Sequence, residues 1–254
     1  MSDFYDQLAP YYHLLYEDWD ASIAAQGELL DNIIQSEWGP SANKILDVSC
    51  GIGTQCLALA SREYEVTGSD LSPGAVARAS KEAVARHLSI SFSVSDMRDL
   101  EIFHKSNFDI VISAGNAIPH LLSDNEIVGA LKEMYACLRP GGGCLLTTRQ
   151  YDQEERGKAI FKPFGVRDEG DHRYIIFQVW DFEDDQYDFA MYFIKTNKQS
   201  DIIDTFVGHS RYYAVSPVRL LELMKLAGFV NVKRLDDAAS PPAIIVGSKL
   251  AKPT

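Results

Sequence analysis

The sequence predicts an α/β fold in which a parallel sheet is covered by helices on both faces and carries a small antiparallel β insertion. Three observations lead there. Strand and helix signals alternate five times between residues 44 and 149. The strand segments are apolar throughout instead of alternating with polar residues, as in strands buried on both faces. From residue 172 to 213, by contrast, three strand-like runs follow one another with no helix between them, so they should pair antiparallel.

The elements follow in order. Residues 18 to 38 set Ile23, Leu30, Ile33, Ile34 and Trp38 near helical spacing. Ile45, Leu46 and Val48 form a short buried strand broken by Gly51 and Gly53, after which TQCLALAS turns helical. YEVTGSDLS is a second strand ending at Asp70. Ser72 and Pro73 supply a capping hydroxyl and a first-turn proline to a helix with Val76, Ala79, Ala83 and Val84 on one face. ISFSV and FDIVISAG are the third and fourth strands. Ser123 and Glu126 have capping-box spacing. The helix behind them carries Ile127, Leu131, Met134 and Leu138 and stops at Arg139-Pro140-Gly141. Residues 143 to 149 make the fifth strand. The insertion holds HRYIIFQVWDF, YDFAMYFIKT and DIIDTFVGHSRYY, with EDDQ at one turn. Ser216 and Pro217 open a last helix ended by Gly228, and FVNVKRL and AIIVGSKL close the sheet. The organisation is one domain over residues 1–254, with an N-terminal helical arm at 1–40 and a substrate-side insertion at 150–214.

Composition narrows the partners. The chain has 254 residues, 46% hydrophobic and 24% charged, with a net charge of −12. Such a surface repels nucleic acid and anionic membranes, so neither is expected. The N-terminus has no basic start followed by an apolar core, and no run approaches the roughly 20 apolar residues of a membrane helix. Cys50, Cys56, Cys137 and Cys144 form no C-x-x-C pair, and the six histidines show no H-x-H or H-E-x-x-H spacing. No metal is expected, and the location expected is cytoplasmic. A homo-oligomer is compatible with all of this.

In a parallel sheet, ligands sit outside the C-terminal strand ends. Asp70, Asp96, Asn116 and Arg149 fall there on four different strands. DVSCGIGTQ places glycines where the first strand turns into a helix, so that backbone and helix N-terminus approach a ligand closely. Two cofactors compete for that turn. A nicotinamide dinucleotide asks for G-x-G-x-x-G, and the third glycine position holds Cys56. S-adenosylmethionine needs only the looser turn. Asp70 suits the ribose hydroxyls of either. Arg149 ends the apolar strand of GGGCLLTTRQYD and needs an anion. That anion is either Asp152 or another protein carboxylate, or a ligand's.

The ordered series ILDVSCGIGTQ, VTGSDLS, SDMRDL, FDIVISAGNAIPHLL and LRPGGGCLLTT resembles the motifs of class I S-adenosylmethionine-dependent methyltransferases, over about residues 44 to 149. The resemblance implies a Rossmann-like seven-stranded sheet and S-adenosyl-L-methionine as cofactor, with S-adenosyl-L-homocysteine as product. It implies that Gly51 and Gly53 pass along the methionine part, that Asp70 holds the ribose, and that Asp96 and Met97 flank the adenine. Asp47, Leu71, Ala114 and Tyr12 join the cofactor set through the same motifs and the arm.

GNAIPHL and TTRQYD, with the insertion before the last helix, resemble the glycine and sarcosine N-methyltransferase group. That likeness implies a substrate carboxylate held by Asn116 and Arg149, with His120 near the sulfonium. A structural role for His120 stands beside this. YDQLAPYYHLLYEDW is similar to the tyrosine-rich arm of such enzymes, with Tyr5 and Tyr12 as candidates against the alternative of packing. That group tends to carry an arginine near the start of the first helix, and residues 14 to 38 hold no arginine or lysine. Polar or backbone contacts are expected there instead. In the insertion, Tyr192, Tyr212 and Tyr213 are candidates for the acceptor pocket, again against packing. The reading is an N-methyltransferase of a small amine, glycine or sarcosine first. The alternatives are a methyltransferase of an amino sugar or secondary metabolite, or a cofactor-binding partner without turnover.

Overall fold

The computed structural model describes residues 2–200, 202–235 and 242–251. A short helix α1 (Ser2–Leu8) and a 3-10 turn (Tyr12–Leu15) precede α2 (Trp19–Trp38). There follow β1 (Lys44–Asp47), α3 (Thr54–Ala60), β2 (Glu65–Asp70), α4 (Pro73–Ala85), β3 (Ser91–Val94), β4 (Phe108–Ser113), α5 (Asp124–Cys137) and β5 (Leu138–Thr148). Four long strands come next: β6 (Ile160–Glu169), β7 (His172–Glu183), β8 (Gln186–Asn197) and β9 (Ile203–Tyr213). The described chain ends with α6 (Pro217–Leu226), β10 (Val230–Arg234) and β11 (Ala243–Ser248).

The main sheet has seven strands in the order β10-β11-β5-β4-β1-β2-β3. β1 to β5 run parallel, while β11 is antiparallel to both β5 and β10. Side chains of β1, β4 and β5 are buried on both faces. Leu46, Val111 and Leu146 meet α5 and α6 on one side, while Ile45, Ile110 and Leu145 meet α2 on the other. Helix starts are fixed locally. Ser72 Oγ accepts from Ala75 N at 3.1 Å, Ser216 Oγ from Arg219 N at 3.1 Å, and Ser123 Oγ from Glu126 N at 3.3 Å. Glycines let the layers close. A Cβ at Gly143 would lie 1.9 Å from the Trp38 ring, where the end of α2 crosses β5.

Four details depart from the sequence reading. α4 buries Ala75, Ala79 and Ala83 rather than its valines, and Val84 is 74% exposed. The close approach of α4 to the sheet leaves room only for methyl groups. β5 begins at Leu138 and runs through Arg139, Pro140 and Gly141, where the helix was expected to be followed by a break. The insertion has four strands, not three. β6 is an edge strand, and its Pro163 and its Gly165 (φ +119°) flank a register shift. Both residues read as breakers, and both are tolerated at an edge and at a bulge. β3 starts at Ser91.

The second sheet, β6-β7-β8-β9, is antiparallel throughout. One face packs Trp180, Phe182, Tyr187, Phe189 and Phe193 onto Phe4, Leu8 and Leu14 of the N-terminal arm. A Cβ at Gly208 would sit 2.3 Å from the Phe4 ring, so β9 is bare where the arm lies on it. Among the described residues no helix is long and apolar enough to cross a membrane.

Candidate cofactor and acceptor site

The C-terminal ends of β1, β2, β3 and β4 open into a cleft. Its walls include Gly51, Asp70, Leu71, Asp96, Met97, Ala114 and Asn116 from the strand ends, His120 from the loop after β4, and Tyr5 and Tyr12 from the arm. These predicted residues therefore share one cavity. A second cavity adjoins it through Ala114, Gly115 and Asn116, and contains Arg149, Tyr16, Gln26 and Gln55.

Asp70 ends β2 and is nearly buried. Its Oδ2 accepts from Gly51 N at 2.8 Å and its Oδ1 from Ser72 N at 2.9 Å. Burial raises its pKa, and those backbone donors oppose the rise. Each oxygen keeps a lone pair, which suits a pair of vicinal hydroxyls. Gly51 has φ +52°, and a Cβ there would meet nothing within 4 Å, so the loop borders open space. Asp96 is bound by Arg98, with Oδ2 to Nη2 at 2.6 Å, which holds its carboxyl below the usual range. Leu71, Ile52 and Met97 give the cleft apolar walls. An acidic strand end, a bare glycine turn and an apolar slot fit a nucleoside with its ribose at Asp70.

Asp47 and Gly53 lie beneath the cleft rather than on its wall. Asp47 is fully buried, bonded to Ser49 N at 3.1 Å and to Cys56 Sγ at 3.6 Å. Burial, reinforced by Asp70, raises its pKa to about 7. Gly53 caps α3 in the left-handed region, with φ +97°. At α2, whose own sequence carries no arginine, Gln55 donates to Gln26 at 2.6 Å and Trp19 to Thr54 at 2.9 Å.

The loop after β4 turns through two left-handed residues, Gly115 (φ +70°) and Asn116 (φ +66°). Asn116 is one of the few residue types that accept this conformation. Its Oδ1 accepts from Arg149 N at 2.9 Å and Thr148 Oγ1 at 3.2 Å, while its Nδ2 donates to Tyr151 Oη at 2.8 Å. The amide thus ties the end of β5 to the loop after β4. Arg149 is mostly buried, with its guanidinium 5.1 Å from the Trp180 ring centroid. Its Nε is buried without a hydrogen-bond partner. Among the described residues no carboxylate lies within 4.0 Å of it; Glu154, which lines the same cavity and pairs with Lys162 at 2.7 Å, acts on it from farther away, and Asp152 is exposed.

His120 Nε2 lies 2.6 Å from Tyr5 Oη, which in turn lies 3.1 Å from Tyr212 Oη. Burial lowers the His120 pKa to about 3, so the ring is neutral at ordinary pH. Two predicted pocket residues lie elsewhere. Tyr192 points out of the opposite face of the second sheet, stacked on Phe177 at 4.7 Å. Tyr213 donates to Asp124 at 2.9 Å, against α5. Strand alternation sends Tyr212 inward and its neighbour away. Tyr151, Trp180 and Tyr187 surround Arg149 and Asn116 and were not singled out from the sequence, although Tyr151 stands inside TTRQYD.

Residues 45–142 match the family model of the methyltransferase domain. A glycine/sarcosine N-methyltransferase from Parasynechococcus marenigrum (strain WH8102) is 33% identical over 144 residues, 56% of this chain and 50% of that protein. The chain spans about half the length of the curated relatives it matches. The crystal structure of DesVI from Streptomyces venezuelae superposes with a TM-score of 0.81 at 20% identity, covering 95% of this chain and 98% of that one. The S-adenosylmethionine-bound structure of CalS10, an amino pentose methyltransferase from Micromonospora echinaspora, gives 0.76 at 18% identity, over 90% and 92% of the two chains. Sheet order, motif series and these matches agree: residues 45–142 form a methyltransferase domain, within a chain that has the fold of DesVI.

Proposed function

We propose that the protein methylates the nitrogen of a small amine that carries an anionic group, with glycine or sarcosine the leading acceptors. The observation that carries this reading is Arg149. A guanidinium so far from water, with no carboxylate within 4.0 Å among the described residues and with Glu154 engaged by Lys162, is suited to an anion from outside. It adjoins the nucleoside-shaped cleft through Asn116. The similarity to glycine/sarcosine N-methyltransferases, which ends within 144 aligned residues, supports the same acceptor class.

S-adenosylmethionine supplies, when bound, an electrophilic methyl group on a sulfonium. The rest falls to this chain's own side chains. Asp70 accepts from the ribose hydroxyls, and Gly51 keeps the turn close. Leu71 and Met97 enclose the base, with Asp96 at its edge. Arg149 grips the acceptor's carboxylate in a bidentate pair, which leaves the amine directed towards the cleft. Asn116 acts on Arg149 by fixing its backbone N–H. The arm closes through Tyr5 and excludes water. Neutral His120 and the neutral phenols offer no strong base, and none is required when the amine arrives unprotonated. Alignment and desolvation are then the main contributions.

A second reading has its own observation. The fold likeness that includes the second sheet is to an amino pentose methyltransferase, among others. An amino sugar is therefore the alternative acceptor. Transfer of label from S-adenosylmethionine to glycine, sarcosine, dimethylglycine and a set of amino sugars separates the readings. Label in glycine or sarcosine supports the first, label only in a sugar supports the second, and label in none contradicts both.

A further inference from the structure

The second cavity has two unlike sides. Arg149 stands on the β5 side, and Tyr16, Gln26 and Gln55 stand on the other. The hydrogen bonds behind that other side run one way. Trp19 Nε1, which can only donate, gives its hydrogen to Thr54 Oγ1 at 2.9 Å, so the Thr54 hydroxyl hydrogen is left to donate elsewhere. Gln55 Nε2 donates to Gln26 Oε1 at 2.6 Å, which occupies the acceptor end of Gln26 and leaves its amide hydrogens. Burial raises the Tyr16 pKa, and Thr54 and Gln26 oppose the rise as donors beside its hydroxyl. Tyr16 and Gln26 therefore hold out hydrogens to the cavity and bring no charge. The cations nearest α2 are engaged elsewhere. Arg62 donates to the carbonyls of Ala24 and Ala58, Arg86 is paired with Asp20 and Glu82, and Arg78 with Glu82. Arg149 is the one cation on the described lining of this cavity.

A wall of neutral donors suits the oxygens of an anion, and its position selects which anion. Thr54 and Gln55 directly follow Gly53 in the turn that borders the cleft. Asp70 is bonded to Gly51 of the same turn, and the cavity meets the cleft at Ala114, Gly115 and Asn116. A nucleoside with its ribose at Asp70 thus lies against the turn, and the passage from there leads to the Tyr16 side. We propose that Tyr16 and Gln26, oriented by Thr54 and Gln55, hold the α-carboxylate of the cofactor's methionine part, which is then bound by neutral groups alone. The inference rests on S-adenosylmethionine as the cofactor of the reading above. A carboxylate that accepts two or three neutral hydrogen bonds is well held without a cation. One cavity then serves two anions: the neutral wall takes the cofactor's, and Arg149 is left for the acceptor's.

Titration calorimetry with two ligands tests this. S-adenosylhomocysteine carries the α-carboxylate, and 5′-methylthioadenosine has the same nucleoside and sulfur without it. The wild-type chain should bind the first about tenfold more tightly or better. Tyr16→Phe removes one hydroxyl and should weaken S-adenosylhomocysteine about tenfold or more, with 5′-methylthioadenosine nearly unchanged. Gln26→Glu keeps an acceptor for Gln55 and sets a like charge against the carboxylate, so the first ligand should lose more, and the second again little. Retained binding of 5′-methylthioadenosine shows that each variant is folded. Arg149→Met should alter neither affinity. A Gln26→Glu chain that binds S-adenosylhomocysteine as tightly as wild type would overturn the proposal, and so would equal losses for the two ligands. If Arg149→Met alone abolishes the preference for S-adenosylhomocysteine, the carboxylate belongs to Arg149, and the acceptor reading falls with the proposal. A wild-type chain that binds neither nucleoside would overturn the cofactor reading and this inference with it.

Discussion

The hydroxyl of Tyr5 and Nε2 of His120, 115 positions apart in sequence, lie 2.6 Å from each other at the rim of the cofactor cleft. The bond joins the N-terminal arm to the loop after β4. Asp6 fixes the same arm to the start of α4, accepting from Ser72 Oγ at 2.6 Å and Gly74 N at 2.7 Å. Tyr5→Phe removes the hydroxyl and leaves a buried imidazole nitrogen unpaired, at a cost of about 1–3 kcal/mol. The melting temperature should fall by roughly 2–10 °C, and S-adenosylmethionine should dissociate faster. Thermal melting and stopped-flow release measure the two effects. An unchanged release rate would remove the arm's closing role.

Asp70 is the residue on which cofactor affinity should depend most. Asp70→Asn keeps the volume but places a donor where two acceptors stand, against both the backbone N–H groups and the ribose. Hydrogen bonds to a charged group contribute roughly 1.5–3 kcal/mol, so the dissociation constant should rise about ten- to a hundredfold or more. Titration calorimetry on the folded variant reads this directly, and an unaltered constant would place the ribose elsewhere.

Asp47 and His120 should give the ligand-free protein opposite pH dependences. The Asp47 pKa is raised to about 7, above its unfolded value of about 3.9. Between those values the native state holds the extra proton, so stability falls as pH rises through the window. The His120 pKa is lowered to about 3, below its unfolded value of about 6.5. There the unfolded state holds the extra proton, so stability falls as pH drops from about 6.5 towards 3. Asp47→Asn removes only the first effect. The variant should therefore gain on wild type as pH rises, by about 1–3 kcal/mol between pH 5 and pH 8. Urea unfolding at the two pH values checks this, and a difference that does not change with pH would mean that Asp47 ionises freely in the fold.

The main sheet was legible because its strands are short apolar runs bounded by glycine, proline and capping residues, each a local signal. That Asp70, Asp96 and Asn116 share one site follows from topology, since strand ends of a parallel sheet converge; their roles come from the motif resemblance. What escaped was non-local. Val84 looked like core, but the depth of the groove under α4 is set by the sheet, and only alanines fit it. β6 was hidden because Pro163 and Gly165 act as breakers everywhere except at an edge and a bulge. Tyr192 and Tyr213 were read as pocket residues on composition, whereas one residue of register decides which face a strand side chain joins. Tyr151 stands unmarked inside TTRQYD and Trp180 has no signal of its own; they matter because they meet Asn116 and Arg149.

The most direct test is on Arg149. Arg149→Met keeps much of the bulk over Trp180 and removes the guanidinium fork. Losing one partner of a buried charged pair costs roughly 2–5 kcal/mol, which is about thirty- to several-thousand-fold in kcat/KM for a carboxylate acceptor. Cofactor affinity should change little, because the cleft is built from other strand ends. Steady-state kinetics with glycine and sarcosine, run beside calorimetry with S-adenosylmethionine, should therefore show a collapse of the first and constancy of the second. A variant that methylates glycine at the wild-type rate, but melts at a lower temperature, would contradict the account and make Arg149 a structural residue.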